Sequence, residues 1–203
     1  MRWPWLRVAV LIILGAMITA CATPSFPPPS VESFTAWQAR KPSLDQLRTW
    51  QLTGRVVIKT EDDTFSGVIF WSQEPDAYQI DFKTPLGQSV LQLQGNSQHV
   101  VMTLPNQKQY QAENAESLMY NKLGWGLPIK ALASWAAGLP VADAEQEFLL
   151  DADGHIQKLR QSGWNIHYKR YTRAGVLQLP NKIFMDNNDD ELNIRLVIDK
   201  WIL

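Results

Sequence analysis

From residue 50 onward the apolar positions of this chain recur at every second residue; before it they recur at helical spacing. Val31, Phe34 and Trp37 fall on one helical face, and Leu44 and Leu47 continue it, so the spacing predicts helix over residues 30–49. Pro42 lacks an N–H and disfavours helix before it, which predicts two pieces, the second restarted by a capping box of Ser43 and Gln46. Leu52, Val56 and Ile58 then share one face of a first strand, and Glu61-Asp62-Asp63 turns the chain into a second over 65–71. Residues 77–83 alternate cleanly, with Tyr78, Ile80 and Phe82 against Gln79, Asp81 and Lys83. Leu91 and Leu93 mark a strand over 90–94, Val100, Met102 and Leu104 one over 99–104, and 108–112 follows the turn at Pro105-Asn106. Strands joined by short polar turns predict an antiparallel meander rather than βαβ units.

Two helices interrupt the meander. Asn114 can cap the first, Ala115, Leu118 and Met119 form its apolar side, and Gly124 stops it. Pro128 suits the first turn of the second, whose stripe is Ile129, Leu132, Trp135 and Leu139 and whose end is Gly138-Leu139-Pro140. Strands resume with 148–151 and 155–161 around Ala152-Asp153-Gly154, then Trp164, Ile166 and Tyr168, then 181–185 and 192–198 around the acidic run beginning at Asp186. Ten or eleven strands make the fold mainly β, enough for a strongly curved sheet or barrel.

The first twenty residues stand outside this pattern. A basic lead with Arg2 and Arg7, an apolar run from Val8 to Leu14 and the small residues Gly15 and Ala16 make a secretory signal. Ile18-Thr19-Ala20-Cys21 resembles the lipobox of bacterial lipoproteins, where the cysteine is acylated and becomes the first mature residue; the plainer reading is a signal peptide with a chance cysteine. Cys21 is the single cysteine of the chain and has no intramolecular disulfide partner. Ala22 stands where lipoproteins retained in the inner membrane of enteric bacteria carry Asp, so by resemblance this chain goes to the outer membrane. The organisation expected is a removed signal over 1–20, an acylated cysteine with a Pro-rich tether over 21–30, and one domain over 31–203.

Composition narrows the function. Of 203 residues, removing the first twenty leaves 183, and losing Arg2 and Arg7 takes the formal net charge from −1 to −3. A weakly acidic domain of that size argues against nucleic-acid binding. No later apolar run is long enough to cross a bilayer as a helix. No nucleophile motif, P-loop or metal spacing is present, and His99, His155 and His167 fall on different strands. Asp151-Ala152-Asp153-Gly154 begins like a calcium loop but lacks the oxygen ligands that should follow, so a hairpin turn is the simpler reading. Neither catalysis, a metal nor a cofactor is expected.

What remains is an apolar sheet face with three amphipathic helices to cover it. Its candidate lining is Tyr78, Ile80, Phe82, Leu91, Leu93, Val100 and Met102, with Leu118, Leu132 and Trp135 from the helices. Sealed tightly, this face is a core; covered loosely, it is a pocket for a lipid or a small hydrophobic compound. Period and composition leave the alternatives open. The turn Thr84-Pro85-Leu86-Gly87 puts Pro and Gly where a type I turn prefers them and sets Leu86 at an exposed tip.

The mature chain also resembles the LolB family. The matching segments, in order, are Gly54-Arg55, Phe70-Trp71, Pro85-Leu86-Gly87, Leu91 with Leu93, Tyr110 with Ala112, Ala115-Glu116, Gly124-Trp125 with Leu127-Pro128, Trp135, Gly138-Leu139-Pro140, Gly163-Trp164 with Ile166 and Tyr168, Leu179-Pro180, and Ile194-Arg195-Leu196 with Ile198-Asp199 and Trp201. Each is short; their order over most of the domain behind a lipobox carries the resemblance. It implies an incomplete antiparallel β-barrel with a helical lid over an apolar cavity, monomeric, anchored to the outer membrane and facing the periplasm. It implies that the cavity takes the acyl chains of client lipoproteins from the periplasmic carrier LolA. It implies too that the loop of Pro85, Leu86 and Gly87 contacts outer-membrane phospholipid, with Leu86 matching the family's protruding leucine.

Overall fold

The computed structural model describes residues 26–187 and 191–203. The signal, Cys21 and the middle of the acidic run at 188–190 lie outside the described residues. The first element, α1 (Val31–Asp45), opens at Ser30, whose hydroxyl accepts the N–H of Ser33 at 3.2 Å. It does not break at Pro42, as the sequence suggested, but runs through it and ends at Asp45 with no restarted helix. Pro42 lies in the last turn, where its missing N–H costs one bond, and Trp37 and Leu44 are buried on either side of it. Tertiary packing thus outweighs the local break.

Eleven strands follow in one antiparallel sheet: β1 (Trp50–Lys59), β2 (Thr64–Gln73), β3 (Ala77–Lys83), β4 (Ser89–Asn96), β5 (Val100–Thr103) and β6 (Gln109–Ala112), then β7 (Gln146–Leu150), β8 (Ile156–Gln161), β9 (Trp164–Ala174), β10 (Leu177–Asn187) and β11 (Leu192–Ile202). Their spatial order is β6-β5-β4-β3-β2-β1-β11-β10-β9-β8-β7. The first and last strands therefore meet at the centre, and β6 and β7 are free edges that leave the barrel open. Register is fixed by alternation: β1 buries Trp50, Leu52, Gly54, Val56 and Ile58 and exposes Gln51, Arg55 and Lys59. At Gly54 the backbone of β11 comes so close that a Cβ would strike the Val197 carbonyl oxygen. A bulge there leaves Asp199 with no opposite residue in the ladder and turns Trp201 inward opposite Leu52.

Antiparallel pairing sorts the connections onto two ends. The β1–β2, β3–β4, β5–β6, β8–β9 and β10–β11 turns share one, the Leu86 end; the β2–β3, β4–β5, β7–β8 and β9–β10 turns share the other. At that second end the rings of Trp71 and Trp201 each pack 5.2 Å from Trp50. Trp50 and Trp71 are buried, and Trp201 donates its indole N–H to the Pro180 carbonyl at 3.0 Å. We call it the tryptophan end. Helix α1 packs beside it: Trp37 lies 5.9 Å from Phe148 of β7, and Arg40 donates to the carbonyls of Gly154 (3.3 Å) and Gln178 (2.7 Å).

Two short helices cover the open side. Asn114 caps α2 (Ala115–Leu123), accepting the Ser117 N–H at 3.1 Å, and Gly124 stops it at φ 81°. It packs on β5 and β6, and α3 (Ile129–Ala136) packs on β10. A buried Gln161 ties α3 down. Its Oε1 accepts the Trp135 indole N–H (3.0 Å) and the Val141 N–H (2.7 Å), while its Nε2 donates to the Val141 carbonyl (2.9 Å). The Tyr168 hydroxyl donates to the Trp135 carbonyl at 2.9 Å. Among the described residues, no buried side-chain nitrogen or oxygen is left without a hydrogen-bond partner.

Candidate functional site

An apolar pocket of about 240 Å³ opens at the Leu86 end. Ile58 is the last residue but one of β1, Phe65 the second of β2, Phe82 the last but one of β3, and Val90 and Leu91 the second and third of β4; Leu123 and Trp125 close over them from α2 and the loop after it. Thr60 and Asp63 from the β1–β2 turn supply the polar rim, the Thr60 N–H bonding the Asp63 carbonyl at 2.9 Å. Phe65 and Phe82 meet edge to face at 6.1 Å. Val90 faces inward although its neighbour Leu91 does so too. Between β3 and β4 the register jumps from Phe82↔Leu91 to Lys83↔Ser89, so Val90 is an unpaired bulge residue.

Beside this pocket, and sharing Trp125 with it, lies a wider polar groove of about 640 Å³ edged by Glu61, Glu116 and Glu191. The β3–β4 loop stands at the same end. The Gly87 N–H bonds the Thr84 carbonyl at 2.9 Å, and Gly87 itself takes φ 83°, a conformation other residues adopt reluctantly. Pro85 and Gly87 are exposed, and Leu86 at the tip is 90% exposed.

Of the ten lining residues read from the sequence, the structure brings Phe82 and Leu91 to the pocket. Ile80, Leu93, Val100, Met102, Leu118, Leu132 and Trp135 lie deeper, in the packed interior. Tyr78 is half-buried at the tryptophan end, where burial raises the pKa of its hydroxyl. Ile58, Phe65, Val90, Leu123 and Trp125 were not among the lining candidates. Strand alternation finds the face of a sheet but not the end at which that face stays open.

The polar candidates gather elsewhere. His155 and His167 line one hollow with Asp151 and Asp153, and the ligand atoms of Asp151, Asp153 and His155 lie within 4.8 Å of one another. The turn already employs that carboxylate: Asp151 Oδ1 accepts the N–H groups of Asp153 (3.0 Å) and His155 (2.8 Å), and Oδ2 faces His155 Nδ1 at 3.1 Å. Burial, with Lys169 adding to it, holds the His167 imidazole below its ordinary pKa. This is a tied hairpin turn at the tryptophan end, remote from the pocket mouth.

Comparison with known proteins bears on the same region. A family model described as outer membrane lipoprotein LolB matches residues 48–201. A relative from Nitrosococcus oceani named outer-membrane lipoprotein LolB is 33% identical, over 98% of this chain and 98% of its own. Another of that name, from Pseudomonas paraeruginosa, is 38% identical over 81% of this chain and 80% of its own. Among solved structures, a DUF1329 family protein from Desulfovibrio piger superposes with a TM-score of 0.59, covering 85% of this chain and 93% of that one. A LolA superfamily protein from Nitrosomonas europaea gives 0.50, covering 86% and 94%. Both structures are 7% identical to this chain, so they speak to the fold alone.

Proposed function

The chain belongs to the LolB family of outer-membrane lipoproteins, and from that membership we propose that it accepts lipoproteins from the periplasmic carrier LolA and incorporates them into the outer membrane. In this reading residues 1–20 are removed, Cys21 is acylated, 21–30 is the tether and 31–203 is a monomeric receptor domain that carries out no bond chemistry. The observation that supports it best is an apolar pocket opening at the same end as an exposed leucine tip, with tryptophan packed at the other end.

At about 240 Å³ the pocket is smaller than the roughly 300–1,000 Å³ that drug-sized ligands occupy. Acyl chains therefore enter when Leu123 and Trp125 move off the barrel, with Gly124 and Gly126 on either side of Trp125 as hinges. The chains never cross water freely, since each Å² of apolar surface exposed costs about 25 cal/mol. Transfer needs no nucleotide. It requires only that this pocket hold the chains more tightly than the carrier does, and the bilayer more tightly than this pocket.

The test uses the domain with Cys21→Ala, mixed with carrier loaded with a lipoprotein and then given liposomes. Client passing to the domain and on to the liposomes supports the receptor. Client staying on the carrier overturns it and favours a lipocalin-like module for a small hydrophobic ligand. A narrower arm uses Val90→Trp, which fills the bulge site. Losing room for about two methylenes, near 0.8 kcal/mol each, should weaken a fluorescent fatty-acid probe roughly tenfold. Unchanged probe affinity would place the chains elsewhere.

A further inference from the structure

We propose that the tether is docked on the barrel wall by Phe26, so that the Leu86 end is the face held against the lipid bilayer. The inference rests on acylation at Cys21 and goes beyond the role of Leu86 itself. The Phe26 ring lies 4.4 Å from the guanidinium carbon of Arg160 and is partly buried. Arg160 is also held by Glu147, its cross-strand partner on β7, which accepts from Nη1 at 3.4 Å. Between Phe26 and the capping Ser30 stand Pro27, Pro28 and Pro29, a stiff extended run. The far end of that run is fixed, because α1 is tied to β7 through Trp37 and to two carbonyls through Arg40.

Chain lengths turn this contact into an orientation. Five peptide steps separate Cys21 from Phe26, a reach of about 18 Å at full extension. Arg160 is one residue from the Leu86 end of β8 and pairs with Asn165. From Asn165, β9 continues nine residues to Ala174 at the tryptophan end, about 30 Å further along the barrel. A docked tether cannot span that length, so the lipid anchor and the tryptophan end cannot both meet the membrane. An undocked tether, free back to Ser30, has nine steps and reaches about 32 Å, as long as that whole stretch of β9. The contact between Phe26 and Arg160 therefore selects which end faces down, and it selects the end carrying Leu86 and the pocket mouth.

The test uses the full-length acylated protein in liposomes. Its one native cysteine is consumed by the lipid, so a single added thiol gives one labelling site. A bimane label is placed at Gln88→Cys, beside the Leu86 tip, or at Val176→Cys, a 93% exposed turn residue at the tryptophan end. Quenching by nitroxide-bearing phosphatidylcholine reads which label meets lipid. The expected result is strong quenching at position 88 and little at 176. Phe26→Ser or Arg160→Gln should move the ratio toward 176 by roughly two- to fivefold, the equilibrium weight of one exposed cation–π contact. An unchanged ratio overturns tether docking and leaves the receptor reading intact. No quenching at 88 in the unsubstituted protein overturns the proposed orientation and the membrane role of Leu86 together. In the Cys21→Ala domain, the Arg160 side-chain protons should shift upfield through the Phe26 ring current and lose that shift in Phe26→Ser. Absence of the shift also overturns the docking.

Discussion

Leu86→Glu should leave the domain able to take a lipoprotein from the carrier and unable to deliver it to liposomes. The residue is 90% exposed on a loop whose turn is made by Thr84 and Gly87, so neither folding nor the pocket depends on its side chain. An exposed substitution of this kind changes stability by no more than about 0.5 kcal/mol. On the proposed membrane role of the loop, it removes the burial of one leucine in hydrocarbon, about 1.5–3 kcal/mol, and a carboxylate must be desolvated in its place. Delivery should fall by about ten- to a hundredfold or more, with uptake within twofold of the parent. Equal loss of uptake and delivery would mean that the loop meets the carrier rather than the membrane.

The largest stability effect is expected at Trp135. Its side chain is fully buried, lies 5.7 Å from the Trp164 ring and donates to Gln161, while its own carbonyl receives the Tyr168 hydroxyl. Trp135→Ala should cost about 3–5 kcal/mol through the cavity it leaves. For a domain of this size that lowers the Tm by about 10 °C or more in a calorimetric scan. Trp135→Phe keeps most of the volume and leaves Gln161 its bonds to Val141, so it should recover more than half of the loss. If Trp135→Ala melts within about 2 °C of the parent, α3 is not fastened to the barrel as described.

Much of the architecture was legible because its determinants are local. Asn114 and Gly124 bound α2 where capping chemistry says they should, and the alternation of Tyr78, Ile80 and Phe82 gave β3 to the residue. Pro42 misled because its cost is local while the force that overrides it, the burial of Trp37 and Leu44, comes from distant strands. Strands β9 and β10 run longer than their patterns suggested. Pro180 sits at a register shift between them, where a missing N–H does no harm to the ladder. The pocket was legible only in part. Leu91 and Phe82 were found by alternation, but Val90 points inward through a bulge, which reverses parity at one residue, and Leu123 at the end of α2 and Trp125 in the loop after it reach the mouth by a path that periodicity does not encode.

The tryptophan cluster at the far end has a kinetic consequence. With Trp50, Trp71 and Trp201 packed there, the described pocket has its mouth at the opposite, Leu86 end. On the proposed receptor role, cargo would arrive and leave through that mouth, so carrier and membrane could not occupy it at once. The proposed handover would then follow double-displacement order, in which the first partner departs before the second engages. Steady-state transfer measured against carrier at several liposome concentrations should give parallel reciprocal lines, whereas an open tube would let donor and acceptor bind together and the lines would intersect.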